Sequence, residues 1–240
     1  MTNAATDAST EKPGLGDLAE IFYSPSAVFA RRTDGKFGMP YLALVVLGTA
    51  IFLGTKGLIA PVIDAEIARG MARAAAKNPA MTPEAQATAT SIARTVGSFA
   101  AIALFVIGPF IIGLFTWLAG KVAQVREIGT VALLVATFSI YPRLLGSIVA
   151  AVLAAMLPEG ATLSAASISL SPARFIDTAA SPGLAGLLGR FDLFVLWGVF
   201  LIATGVKVAG KASPKQAWGT AIGVWTIPTL LAIVGLLRNG

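Results

Sequence analysis

The residue with the strongest claim to chemistry is Arg143, which sits inside a long apolar run over about 129–157 and is the fifteenth of its 29 residues. A guanidinium keeps its charge in proteins and is costly in hydrocarbon. Arg143 is therefore expected to face the interior of a helix bundle, water or an anionic group. Pro109, Pro142 and Pro228 fall near the midpoints of three apolar runs. Each proline removes a backbone donor and frees a carbonyl one turn earlier, so these are expected helix breaks. Such breaks persist in a bilayer only where protein or water satisfies the freed groups. With Thr137, Ser139, Tyr141 and Thr226 as lining, they outline a polar pocket within the membrane around Arg143. Discontinuous helices at mid-membrane form binding sites in many transporters. The competing reading is a structural arginine, with prolines that only kink their helices.

Other chemistries are closed off by composition. The chain has no Cys and no His, which removes thiolate ligands, a thiol nucleophile, the usual general base and the commonest transition-metal ligand. Neither a catalytic residue nor a metal or cofactor is expected. Glu127 precedes the run that carries Arg143, and Asp192 opens a later run near its outer end, so no carboxylate is expected deep in the membrane. That argues against a proton- or cation-coupled carrier and leaves an anion or a lipid headgroup as the ligand of such a pocket. Lys56 and Lys207 lie near the ends of their runs, where long stems carry the ammonium to the interface. Gly183 to Gly189 lacks the lysine and spacing of a phosphate loop.

The elements that hold these residues follow from hydropathy. Of 240 residues, 56% are hydrophobic and 12% charged, with a mean hydropathy of +0.80. A soluble domain carries about 25% charged residues. This much apolar surface needs lipid as its solvent. The predicted fold is an all-α, polytopic transmembrane helical bundle of about five spans, at about 39–61, 96–119, 129–157, 191–210 and 217–237. No alternating pattern of a membrane β-barrel is present. Gly205 with Ala209, and Gly219 with Gly223, give the small-xxx-small spacing that lets the last two helices approach closely.

Flanking segments complete the layout. Residues 1–14 read as a disordered tail, and no signal peptide is expected. Residues 15–36 read as two short amphipathic helices meeting at Ser24-Pro25. Their apolar faces lie either in the headgroup layer or against the protein's own bundle. In the first case Arg31, Arg32 and Lys36 act as interfacial anchors. Lys121, Arg126, Lys211 and Lys215 are the corresponding anchors of two short loops. With five spans all these cations share one side, which the positive-inside rule makes cytoplasmic, leaving the C-terminus outside. The charge of +6 thus reflects membrane anchoring rather than nucleic-acid binding. Ile63, Ile67 and Met71 extend the first helix past the membrane, Asn78-Pro79 breaks it, and Thr82-Pro83-Glu84 starts the next. The result is an extramembrane helical hairpin between spans one and two, projecting about 20 Å. Residues 158–190 are rich in Ser, Pro and small residues and are expected to lie on the membrane or partly re-enter it.

Three stretches carry a family likeness: IFYSP at Ile21–Pro25, TFSIYPRLLGSIV at Thr137–Val149, and FDLFVLWGVFLIATGVKVAGKASPKQAW at Phe191–Trp218, with VWTIP in the closing run. In these the chain resembles the Yip family (Ypt/Rab-interacting proteins) in its bacterial form, over about residues 15–237. The resemblance implies five spans, a cytoplasmic N-terminus and no enzymatic activity. Eukaryotic relatives act in vesicle trafficking with Rab-type GTPases and in shaping membranes, roles that do not carry over residue by residue. The expected function is that of a non-catalytic, membrane-organising or partner-binding protein of a bacterial inner membrane. The alternative is a transporter or lipid-handling protein with an anionic ligand or headgroup at Arg143. Membrane lipids are the expected partners, with a homo-oligomer or another membrane protein beside them.

Overall fold

The computed structural model describes residues 14–78, 80–158 and 163–239, with backbone only at 231, 232 and 235–239. The tail expected over 1–14 lies outside the described residues except for Gly14, as does Pro79 of the expected break. The described residues form nine α-helices and no strand. In order these are α1 (Asp17–Glu20), α2 (Pro25–Arg31), α3 (Gly38–Lys77), α4 (Pro83–Val106), α5 (Gly108–Val122), α6 (Ile128–Ala155), α7 (Pro182–Leu188), α8 (Leu193–Val208) and α9 (Pro214–Asn239). At 40 residues, α3 runs about 60 Å without interruption, past Pro61. It ends at Asn78, and Thr82 caps α4 by accepting from the amide of Ala85 at 3.2 Å. The two helices pack together as the expected hairpin, and Arg94 Nε reaches Asp64 Oδ1 at 2.8 Å across it.

The core is built on α6, which packs against α3, α5 and α8. Every residue from Leu134 to Pro142 is buried, because this stretch is apolar or small on all sides and is walled in all round. Gly198 lets α8 come in close: a Cβ there would stand 2.7 Å from the backbone oxygen of Ser139. Gly48 plays the same part between α3 and the ring of Phe105. Pro142 and Pro228 lie inside continuous helices, so only Pro109 acts as the break expected of all three. At Pro109 the chain turns at Ile107, and the apolar run expected as one span over 96–119 is split into α4 and α5.

Residues 15–36 do not lie as free amphipathic helices. Ile21, Val28 and Phe29 are fully buried in the same core as α6. Phe29 stacks edge-on against Phe138 at 5.7 Å, and Phe22 against Trp197 at 5.6 Å. Burying this segment requires neutralising its basic pair. Arg31 Nη2 donates to Asp17 Oδ1 at 2.7 Å and pairs with Glu20, while Arg32 Nε donates to Asp17 Oδ2 at 2.7 Å. Arg31 and Arg32 are therefore inward-facing and do not present charge to a headgroup, a correction to their reading as anchors. The hydrogen bond that Arg31 donates to Glu20 is the main cause holding its guanidinium above its ordinary value, and burial opposes it. Lys36 stays exposed and pairs with Asp34 at 3.0 Å, which holds that carboxyl below its usual range.

The basic loops meet at one end of the bundle. Gln124 and Lys211 take left-handed conformations (φ 59° and 51°) just past α5 and α8. In each loop an amide reaches back to a carbonyl in the last turn, Val125 to Gly120 at 2.8 Å and Ala212 to Val206 at 3.4 Å. Gln216 Nε2 donates to the Gln124 carbonyl at 2.9 Å and ties the loops together. Gly35 (φ 73°) rests on the Thr130 carbonyl, which brings the start of α3 to this same end. Among the described residues three helices are long and apolar enough to cross a membrane: α3, α4 and α6. A fourth crossing is available if Pro182–Phe191 and Leu193–Val208, bent by 47° at Asp192, act as one.

If Gly198 sets the α6–α8 distance, Gly198→Ala will cost about 1–3 kcal/mol, the usual range for overpacking. Gly219→Ala, whose Cβ meets nothing within 4 Å, will be near neutral. Thermal unfolding of both variants in detergent checks this; equal midpoints would refute it.

Candidate functional site

Arg143 is the sixteenth residue of α6 and lines a pair of adjoining cavities of about 260 and 500 Å³. Three elements meet there. The C-terminal third of α3 supplies Glu66, Arg69 and Arg73, the segment 165–173 supplies Ser169 and Ser171, and Asp192 stands at the bend before α8. Two carboxylates pin that segment in place. Glu66 Oε1 accepts from the amide of Ala165 at 2.8 Å, and Asp192 Oδ2 accepts from that of Leu170 at 3.0 Å. The other oxygen of Asp192 caps α8 through the amide of Phe194 at 2.9 Å. Ser169 and Ser171 face one another at 2.7 Å between their hydroxyl oxygens.

Charge at the site does not balance. The lining holds three arginines and two carboxylates, and both carboxylates are already engaged by backbone amides. Arg143 makes no side-chain hydrogen bond and no ion pair within 4.0 Å among the described residues, although Asp192 shares its cavity. Arg69 Nη2 approaches Glu66 at 2.9 Å in poor alignment and is left without a hydrogen bond. A buried polar group without a partner costs about 1–3 kcal/mol, more if charged. Unmet donors around a cavity thus favour an acceptor-rich, negatively charged occupant.

The expected pocket residues are distributed differently. Ser139 and Pro228 share a smaller cavity of about 170 Å³ with Arg143 and Arg190. Tyr141 points away and donates to the Pro40 carbonyl at 2.7 Å, tying α6 to α3. The hydroxyls of Thr137 and Thr226 donate to carbonyls of their own helices, Leu133 and Ile222, both at 2.7 Å. Polar side chains near an arginine in sequence thus serve packing, because a hydroxyl on a buried helix satisfies itself on the preceding turn. Pro109 is buried at the α4–α5 break, outside these cavities. Lys121 in the last turn of α5, Arg126 and Lys211 in the loops, and Lys215 in the first turn of α9 all lie at the basic end described above. Sequence reasoning missed Glu66, Arg69 and Arg73. Their i, i+3, i+7 spacing places them on one helical face and was the available signal.

The family model described as the Yip1 domain matches residues 19–236, nearly the whole chain. This chain belongs to the Yip1 domain family. Membership, together with the apolar helices, makes it a multi-pass membrane protein of the Yip type. No curated protein and no solved structure matches it. Helix α2 and the Arg143 cavities fall within the matched Yip1 domain, and Asp17 of α1 lies just ahead of it.

Asp192→Ala removes the cap of α8 and the acceptor for Leu170 together. A lost cap alone costs about 0.5–2 kcal/mol. Hydrogen exchange at the amides of Phe194 and Leu170 should accelerate in this variant while that of Ala165, held by Glu66, stays slow. Unchanged exchange at Leu170 would show that Asp192 does not hold the segment.

Proposed function

We propose that this Yip1-domain protein is a non-catalytic five-span membrane protein that holds an anionic group against Arg143. The observation that carries the reading is a guanidinium facing a cavity with no hydrogen bond or close ion pair among the described residues, while the carboxylates beside it are engaged elsewhere. The absence of Cys and His from the sequence supports a binding role over catalysis. The five crossings are α3, α4 with α5 as one broken span, α6, the bent pair ending in α8, and α9. The convergence of Lys36, the Lys121–Arg126 loop and the Lys211–Lys215 loop at one end supports a cytoplasmic location for that end. The Arg143 cavities then open toward the outer half of a bacterial inner membrane.

A second reading, a membrane-organising or partner-binding protein, draws on the exposed apolar face of the hairpin and α5. Val96, Phe99, Ile107, Ile111 and Leu114 are all more than half exposed there. That face suits lipid or another membrane protein alike.

Two measurements test these proposals. Titrating inorganic phosphate and an anionic phospholipid separately into protein in nonionic detergent should raise the unfolding midpoint with at least one of them. Arg143→Gln should abolish the response; an equal response in both chains would overturn the reading. Since the chain lacks cysteine, single cysteines report topology cleanly. Thr88→Cys, at an exposed position of α4, should label from outside intact cells and Ala123→Cys only after permeabilisation. The reverse pattern would invert the orientation.

A further inference from the structure

The two cavities at Arg143 differ in chemistry. The larger carries more of the polar groups, with Arg69, Arg73, Ser169 and Ser171 on its walls among alanines and glycines. The smaller is lined mainly by Leu104, Phe105, Val149, Ile168 and Phe194. Arg143 and Asp192 line both, so the guanidinium stands at the seam between a wet chamber and a greasy one. A free anion would use only the first chamber. The second leads to the bundle surface: α4 packs along α3 and α5 but not along α6, and Leu104, on the α4 side of this gap, is 41% exposed. In a membrane protein that gap faces hydrocarbon.

Resting on the anion-binding reading of Arg143, we propose that the occupant is an anionic phospholipid. Its phosphate lies between Arg143, Arg69 and Arg73, and one acyl chain passes through the smaller chamber and out between α4 and α6. The polar chamber of about 500 Å³ is within the usual size of a ligand site. Arginine forks match the paired oxygens of a phosphodiester, and Ser169 and Ser171 supply hydroxyl donors beside them. Asp192 commits both oxygens to amides, whereas Glu66 accepts from the Ala165 amide and also stands 2.9 Å from Arg69, so the phosphate shares Arg69 with it and has Arg143 and Arg73 to itself. An amphiphile satisfies both chambers at once, and its chain replaces an apolar void with contact.

The test is native mass spectrometry of the full chain released from nanodiscs, comparing a phosphatidylglycerol, a phosphatidylcholine with the same chains, and inorganic phosphate. Wild type should retain phosphatidylglycerol at least about tenfold better than either competitor. Arg143→Gln should lose that preference. Ala150→Phe, which narrows the apolar chamber, should weaken the lipid about tenfold and leave inorganic phosphate unaffected. Should Ala150→Phe not fold, shortening the acyl chains on wild type reads the same contact, and affinity should fall with length. Phosphate bound as tightly as the lipid, with no dependence on chain length, would overturn this inference and leave an anion site standing. Binding of neither by wild type would overturn both.

Discussion

Where α6 and α8 cross, the Ser139 carbonyl lies against Gly198 with no side chain between the two backbones. That contact sets the geometry of the molecule. It brings Val135 and Gly205 together one end along and leaves just enough room for the ring of Phe29. It also carries Arg143, one turn beyond Ser139, to the level of Asp192, where α8 begins. A close backbone approach of this kind depends on van der Waals packing, which in lipid replaces the hydrophobic force that joins helices in water.

The protein handles buried arginine in two ways. At the N-terminal segment, Arg31 and Arg32 are matched by Asp17 and Glu20, four charges that cancel within one cluster. Breaking such a cluster strands a charge and costs about 3–5 kcal/mol. At Arg143 no such match is made, and the nearest acid commits both its oxygens to amides. The first arrangement closes a structure. The second leaves electrostatic attraction unanswered and directed into a cavity.

Much of the fold was legible because its signals are local. The Thr82 cap, the α3 extension and the small residues of α8 all follow from spacing within a few turns. Pro109 did break its helix, whereas Pro142 did not, because the outcome depends on how firmly neighbours grip the flanking turns. The inward turn of Arg31 and Arg32 was hidden for a different reason. Their partners lie 11 to 15 residues earlier, and the decision to bury them comes from Phe138 and Gly205, more than a hundred residues later. The Arg143 site was half legible: its central charge is plain in the sequence, and its walls come from α3 and a segment with no periodic signal.

That long separation carries a consequence for how the chain is made. Phe29 is synthesised 176 residues before the Gly205 that accommodates it. At ribosomal speeds the delay is roughly 10 to 35 seconds. Throughout that interval α8 does not yet exist, and the segment has only part of its berth. Arg31 and Arg32, by contrast, follow their partners Asp17 and Glu20 by only 11 to 15 residues, so the four charges are on hand together from the start. The electrostatic half of the N-terminal packing is local in time and the aromatic half is late.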